Sequence, residues 1–81
     1  MDPANIEELI ENSIPDAVVE VTRPRGPDDD DHFAARVVSP AFEGMNLVQQ
    51  HDLVYDALGE KMTTEIHAIE LSTHTPDDVE E

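Results

Sequence analysis

The chain has 81 residues, no cysteine, and 20 acidic against 4 basic side chains, a formal net charge of -16. Such a length holds one domain with a modest core, and without cysteine neither a disulfide nor a self-sufficient thiolate metal site can stabilise it. The charge repels nucleic-acid phosphate and anionic membrane surfaces. No apolar run reaches the roughly 20 residues that span a bilayer, and no basic-then-apolar leader is present. A cytoplasmic protein is therefore expected. So much surface acid also suits a salty cytoplasm, where ions screen its self-repulsion, and a halophilic source is the hypothesis. Thermal melts should then show higher stability in molar KCl than in dilute buffer; equal stability in both would count against it.

In chain order, Asp2-Pro3 can start a helix, with Pro3 suited to the first turn. Ile6, Leu9 and Ile10 follow at helical spacing, and Glu7, Glu8 and Glu11 are expected to face water. Asn12-Ser13 closes this helix, and Ile14-Pro15 reads as extended. Ala17 to Thr22 is β-branched and predicts a first strand, Val19 and Val21 on one face. The stretch from Arg23 to Asp31, with two prolines, a glycine and four consecutive aspartates, is a loop. It lacks the alternating ligand spacing of a calcium loop. His32 to Ser39 predicts a second strand, antiparallel to the first, with Phe33, Ala35 and Val37 toward the core.

Pro40 to Glu43 predicts one helical turn, broken at Gly44. A longer helix is expected from Asn46 to Leu58, with Leu47, Val48, Val54, Tyr55 and Leu58 as its apolar stripe and His51 on that stripe. Gly59 ends it. Thr64 to Leu71 predicts a third strand, with Glu65, His67, Ile69 and Leu71 on one face and Ile66 and Ala68 on the other. Thr75-Pro76 starts a last turn before an acidic tail from about residue 77. A strand–helix–strand passage crosses over right-handedly and makes its strands parallel. The expected fold is α+β, in the order αββ(turn)αβ(α): a three-stranded mixed sheet with the helices on one face, formed by residues 1–81 as a single domain.

Little here suits catalysis. Cysteine nucleophiles are absent, Ser13, Ser39 and Ser72 sit in capping or strand-end contexts, and glycines 26, 44 and 59 are too scattered for a phosphate loop. No enzyme is expected. The histidines carry more. None has a partner at H-x-x-x-H spacing. His51, on an apolar stripe, reads as a half-buried, hydrogen-bonded packing residue; His32 follows a flexible loop, as a mobile ligand would; His67 lies in a strand; His74 has no supporting context.

Val37-Val38-Ser39, Phe42-Glu43-Gly44, His51, Leu53-Val54-Tyr55, Leu58, Ile66-His67-Ala68 and Thr75-Pro76 follow one another as in BolA-like proteins. The resemblance runs from the first helix to Thr75-Pro76, and the αββαβ order is similar to the class II KH-like fold of that family. What the resemblance implies is a partner of monothiol glutaredoxins that shares a [2Fe–2S] cluster in iron–sulfur assembly, trafficking or iron regulation. It implies His67 as cluster ligand, and a second ligand from the loop between the first two strands, where a cysteine or histidine stands in the family. Residues 24–31 hold neither, and only His32 at the loop exit qualifies as the second ligand that the resemblance implies. Histidine can replace cysteine on one iron of such a cluster. A cysteine-free chain must borrow its thiolates, from the partner and a low-molecular-weight thiol, and acid should release the cluster because only neutral imidazole binds iron. Phe42, Gly44, His51 and Tyr55 are expected to build the partner-docking face, and the free chain is expected to be a monomer.

Two other readings stand beside this one. A KH-like transcriptional regulator is the alternative that the family also suggests, with Arg23, Arg25 and Arg36 as a small basic patch. Against it, Gln50 and Asp52 flank His51 where the family often has basic residues, and a GxxG phosphate clamp is missing. The other is a plain protein-interaction domain with structural histidines.

Overall fold

A computed structural model of the chain describes residues 2–29, 32–64, 66 and 68–79. Helix α1 (Pro3–Ser13) begins at a proline, whose missing N–H costs nothing in a first turn. Asp2 precedes it in an extended conformation but makes no side-chain cap bond. Ile6 and Ile10, one turn apart, are fully buried, Leu9 packs beside them, and the chain leaves through extended Ile14. Glu8 and Glu11 face water as expected, but Glu7 does not simply do so. Its Oε2 accepts the backbone N–H of Val21 at 2.9 Å, because that donor would otherwise lie half-buried and unpaired.

Strands β1 (Val18–Thr22) and β2 (His32–Val38) pair antiparallel, with Val19 opposite Val37 and Val21 opposite Ala35. The alternation read from sequence holds: Val19, Val21, Phe33, Ala35 and Val37 are buried, while Val18, Glu20 and Arg36 are exposed. Strand β3 (Ala68–His74) runs parallel to β2, so the sheet order is β1-β2-β3 with β2 central, the expected mixed sheet.

The third strand begins later than the sequence suggests. Residues 61–64 form a short helix, α3 (Lys61–Thr64), and pairing runs on to His74 instead of stopping at Leu71. Local hydrogen bonds explain the difference. Gly59 ends the preceding helix at φ +54°, the N–H of Met62 returns to the carbonyl of Gly59 at 3.2 Å, and that of Ile66 to Lys61 at 2.8 Å. The β-branched Thr63-Thr64 pair is drawn into this turn, since β propensity is a weak preference that local bonding overrides. Ile66 then enters the core.

Between β2 and α2 (Leu47–Leu58), residues Pro40–Phe42 make the expected turn, of 3₁₀ type. Gly44 follows at φ +81°, a conformation that a side chain would strain. Asn46 precedes α2 in a reciprocal cap: its side chain accepts the N–H of Gln49 at 2.9 Å, and the Gln49 side chain accepts that of Asn46 at 3.0 Å. Gln50 ties the same end to the sheet, donating to the Met45 carbonyl at 2.9 Å and accepting from the Thr73 hydroxyl at 2.6 Å.

The expected apolar stripe of α2 splits in two. Val54 and Leu58 are buried and Leu53 and Ala57 partly so, but Leu47 and Val48 are 60% and 69% exposed and Tyr55 39%. Both long helices pack on one face of the sheet, where Ile6, Ile10, Phe33, Val37, Phe42, Val54 and Leu58 make the core. The other face is open, with Glu20, Arg36, Glu70 and Ser72 exposed along it. The last turn, α4 (Pro76–Val79), packs against β3 where Thr75-Pro76 indicated a helix start. Among the described residues no helix is long and apolar enough to cross a membrane.

Candidate functional site

The parallel pairing of β2 and β3 brings the starts of both strands together, with His32 opposite Ala68 and Phe33 opposite Ile69. Beside them lies a cleft of 260 Å³, closed on its third side by Pro24 and Arg25 from the loop after β1 and extended along β3 to Glu70. Three segments distant in sequence thus meet around His32.

His32 is held firmly. The carboxylate of Asp29 contacts its Nδ1 at 3.1 Å through Oδ2, and Asp29 Oδ1 also accepts the backbone N–H of His32 at 3.1 Å. A carboxylate on Nδ1 fixes the orientation of the ring, as carboxylates do for metal-ligating histidines. Its side chain keeps 28% of its exposure, enough to meet a ligand from outside. The contact of Asp29 with this candidate ligand is what sequence reasoning missed. Its only signal was position, three residues before a histidine in an acid-rich loop.

His67, the first-ranked ligand, lies outside the described residues, as do Glu65 and the last two loop aspartates, Asp30 and Asp31. Its chain neighbour Ala68 forms the cleft wall opposite His32. His74 is half-buried and shares a 2.8 Å hydrogen bond between its Nε2 and the Ser72 hydroxyl. Among the described residues this cleft offers one imidazole, His32, and one carboxylate, Glu70; with no cysteine in the chain, a cluster here would need its thiolates from outside.

The residues expected at the docking face separate. Phe42 is 1% exposed and belongs to the core, so its ring supports the surface from beneath and cannot meet a partner. Gly44 is exposed in the turn before α2, and Tyr55 reaches solvent on the helix with Leu47 and Val48. His51 is half-buried on α2, as expected of a packing residue, but the expected hydrogen bond is missing: its Nε2 is buried with no partner among the described residues.

The three arginines do not gather into one basic patch. Arg23 turns to Asp2 at 3.5 Å and to the Pro27 carbonyl at 3.4 Å, Arg25 lines the cleft, and Arg36 lines a separate groove on the open sheet face.

Comparison with known proteins agrees with this architecture. The family model described as BolA-like protein matches residues 8–78, nearly the whole chain. The chain belongs to the BolA-like family. A structure of a BolA homologue from Coxiella burnetii superposes with a TM-score of 0.85 at 38% identity, covering 100% of this chain and 99% of that one. The chloroplastic BOLA1 protein of Arabidopsis thaliana is 49% identical over 49 residues, which is 60% of this chain and 31% of that protein. From the same plant, SufE-like protein 1 is 41% identical over 54 residues, 67% of this chain and 15% of that protein. Its BolA domain, solved alone, gives a TM-score of 0.80 at 34% identity, covering 95% of this chain and 94% of that domain. The chain therefore corresponds to the BolA portion of these two longer plant relatives, and its sheet and two long helices are those of solved BolA proteins.

Proposed function

We propose that this BolA-like chain is a partner protein, rather than a catalyst, that binds a [2Fe–2S] cluster jointly with a monothiol glutaredoxin and takes part in iron–sulfur cluster assembly, trafficking or iron regulation. The observation that carries the reading is His32: a carboxylate-oriented imidazole at the mouth of a cleft, paired across the sheet with the residue that follows His67. His32 and His67 are the nitrogen ligands. The glutaredoxin cysteine and a small thiol supply the other two positions, since this chain has no sulfur donor of its own beyond methionine. The cluster is cargo, held between two proteins. Asp29 keeps the His32 ring aimed, and the apolar walls at Phe33, Ala68 and Ile69 shield that side from water.

The test mixes the protein with cluster-loaded monothiol glutaredoxin and records visible circular dichroism. Wild type should produce a new spectrum. His67→Ala should abolish it, and His32→Ala, which removes a proposed ligand, should weaken cluster affinity by at least about tenfold, the smallest loss typical of removing even an outer-shell partner. Identical spectra for wild type and His67→Ala would sink the assignment. Nucleic-acid binding draws less support from the site, because its three arginines are dispersed on a chain of net charge -16.

A further inference from the structure

Among the described residues four large apolar side chains are exposed, and three of them, Leu47, Val48 and Tyr55, lie on α2. Scattered singly such residues are ordinary on a surface, but gathered on one element they mark a contact site. Val48, His51 and Tyr55 follow at i, i+3 and i+7, the spacing along which a second helix packs, and Leu47 flanks the start of that row. The reciprocal cap between Asn46 and Gln49 fixes this end of the helix before anything binds. Val48 does nothing for the helix itself, since a β-branched residue is a weak helix former.

The rim of the row is acidic. Glu43, Asp52 and Asp56 are exposed, and none has an ion-pair partner among the described residues. The chain holds no Lys or Arg between Arg36 and Lys61. Its arginines are placed elsewhere: Arg23 against Asp2, Arg25 at the His32 cleft and Arg36 on the open sheet face. Cations for this rim must therefore come from another molecule. A second copy of the chain would set Asp52 and Asp56 against acidic counterparts, and like charges across an interface are costly. Nucleic acid and anionic lipid are repelled in the same way. What fits is a helix whose apolar stripe is bordered by Lys or Arg.

We infer that the exposed row on α2 docks a basic amphipathic helix of another protein, whose apolar side chains meet Leu47, Val48 and Tyr55 and whose cations meet Asp52 and Asp56. This does not rest on cluster sharing. Gln50, in the same half of α2, is bonded to Thr73 near the end of β3, whereas His32 lies opposite Ala68 at that strand's start, about 16 Å of strand away.

The experiment titrates the full chain, followed by amide NMR shifts, with a synthetic peptide of about four helical turns. It is built of leucine and lysine, with leucines at i, i+3 and i+4 spacing. One control peptide has the same composition with its leucines redistributed around the helix; in another, glutamate replaces lysine. The patterned lysine peptide should bind saturably, with shift changes concentrated in residues 46–59. The redistributed peptide, of equal charge, should bind at least about tenfold more weakly, and the glutamate peptide not at all. Leu47→Ser combined with Val48→Ser should lose about tenfold or more, and Asp52→Asn about threefold. Val18→Ser, which removes a similarly exposed valine on β1, should leave affinity unchanged. All these substitutions alter exposed side chains, and unchanged amide shifts outside α2 confirm that folding is kept. Equal affinity for the two lysine peptides, equal behaviour of the double serine variant and Val18→Ser, or shifts spread evenly over the surface would reveal mere attraction of a cation to a chain of net charge -16 and overturn the inference. Binding of the glutamate peptide would overturn it too. No cluster and no glutaredoxin enter the titration, so its failure leaves the cluster function untouched, and failure of the circular dichroism test leaves this surface standing.

Discussion

Phe33→Ala should cost about 3–5 kcal/mol of stability, the range for emptying a buried aromatic site. A domain of this length has roughly 4–12 kcal/mol in total, so the variant should be partly unfolded in dilute buffer. The reason is position. Phe33 is 1% exposed on the central strand, beneath the helices on one side and beside the cleft at the strand's start. Its removal takes away both buried area and the contacts that keep the first turns of β2 in register with β3. Urea denaturation followed by far-UV circular dichroism measures it, with Phe33→Leu retaining most of the volume and losing about 1 kcal/mol. Val48→Ala, at 69% exposure, should change stability by less than about 0.5 kcal/mol. Comparable losses for Phe33→Ala and Val48→Ala would mean that the core described above is misplaced.

Ser39→Ala should cost about 2 kcal/mol, from one oxygen atom. Ser39 is fully buried, and its hydroxyl donates to the Pro15 carbonyl at 2.6 Å while accepting the N–H of Ala41 at 3.1 Å. Its own N–H reaches the His74 carbonyl at 3.0 Å. The residue therefore joins the turn after α1, the turn before α2 and the end of β3. Alanine keeps the shape but leaves a donor and an acceptor without their partner, which is why the loss exceeds that of an ordinary surface hydrogen bond. Chemical denaturation beside Ser13→Ala, an exposed serine, isolates the effect. A difference between the two variants below about 0.5 kcal/mol would show that water replaces the Ser39 hydroxyl at no cost.

Most of the fold was legible because strand alternation is unambiguous when small and large apolar residues share one parity. Phe33, Ala35 and Val37 do so, and Val19 and Val21 answer them across the hairpin. Helix α2 was less legible in its facing. Leu47, Val48, His51, Val54, Tyr55 and Leu58 fit one broad stripe by spacing, and only packing decides that Val54 and Leu58 go in while Leu47, Val48 and Tyr55 stay out. The start of β3 was misplaced because Thr63 and Thr64 favour strands intrinsically, whereas Gly59 and the Lys61–Ile66 hydrogen bond favour one more turn. His32 could be singled out from its place after a loop. Asp29 behind it could not, since the local course of the loop decides whether its carboxylate meets the ring, and Glu70 reaches the cleft only through the parallel pairing of β2 with β3 across a long crossover.

The bond from Val21 to Glu7 has a bearing on how this molecule meets others. β1 is an outer strand, and outer strands offer outward-pointing amides to any extended peptide that approaches. Here the helix that precedes the strand has already occupied one of those amides with a carboxylate. An incoming strand would have to displace that carboxylate and also approach a chain of net charge -16. The β1 margin thus has one of its outward amides already paired, and the acidic charge adds to the cost of laying another strand along it.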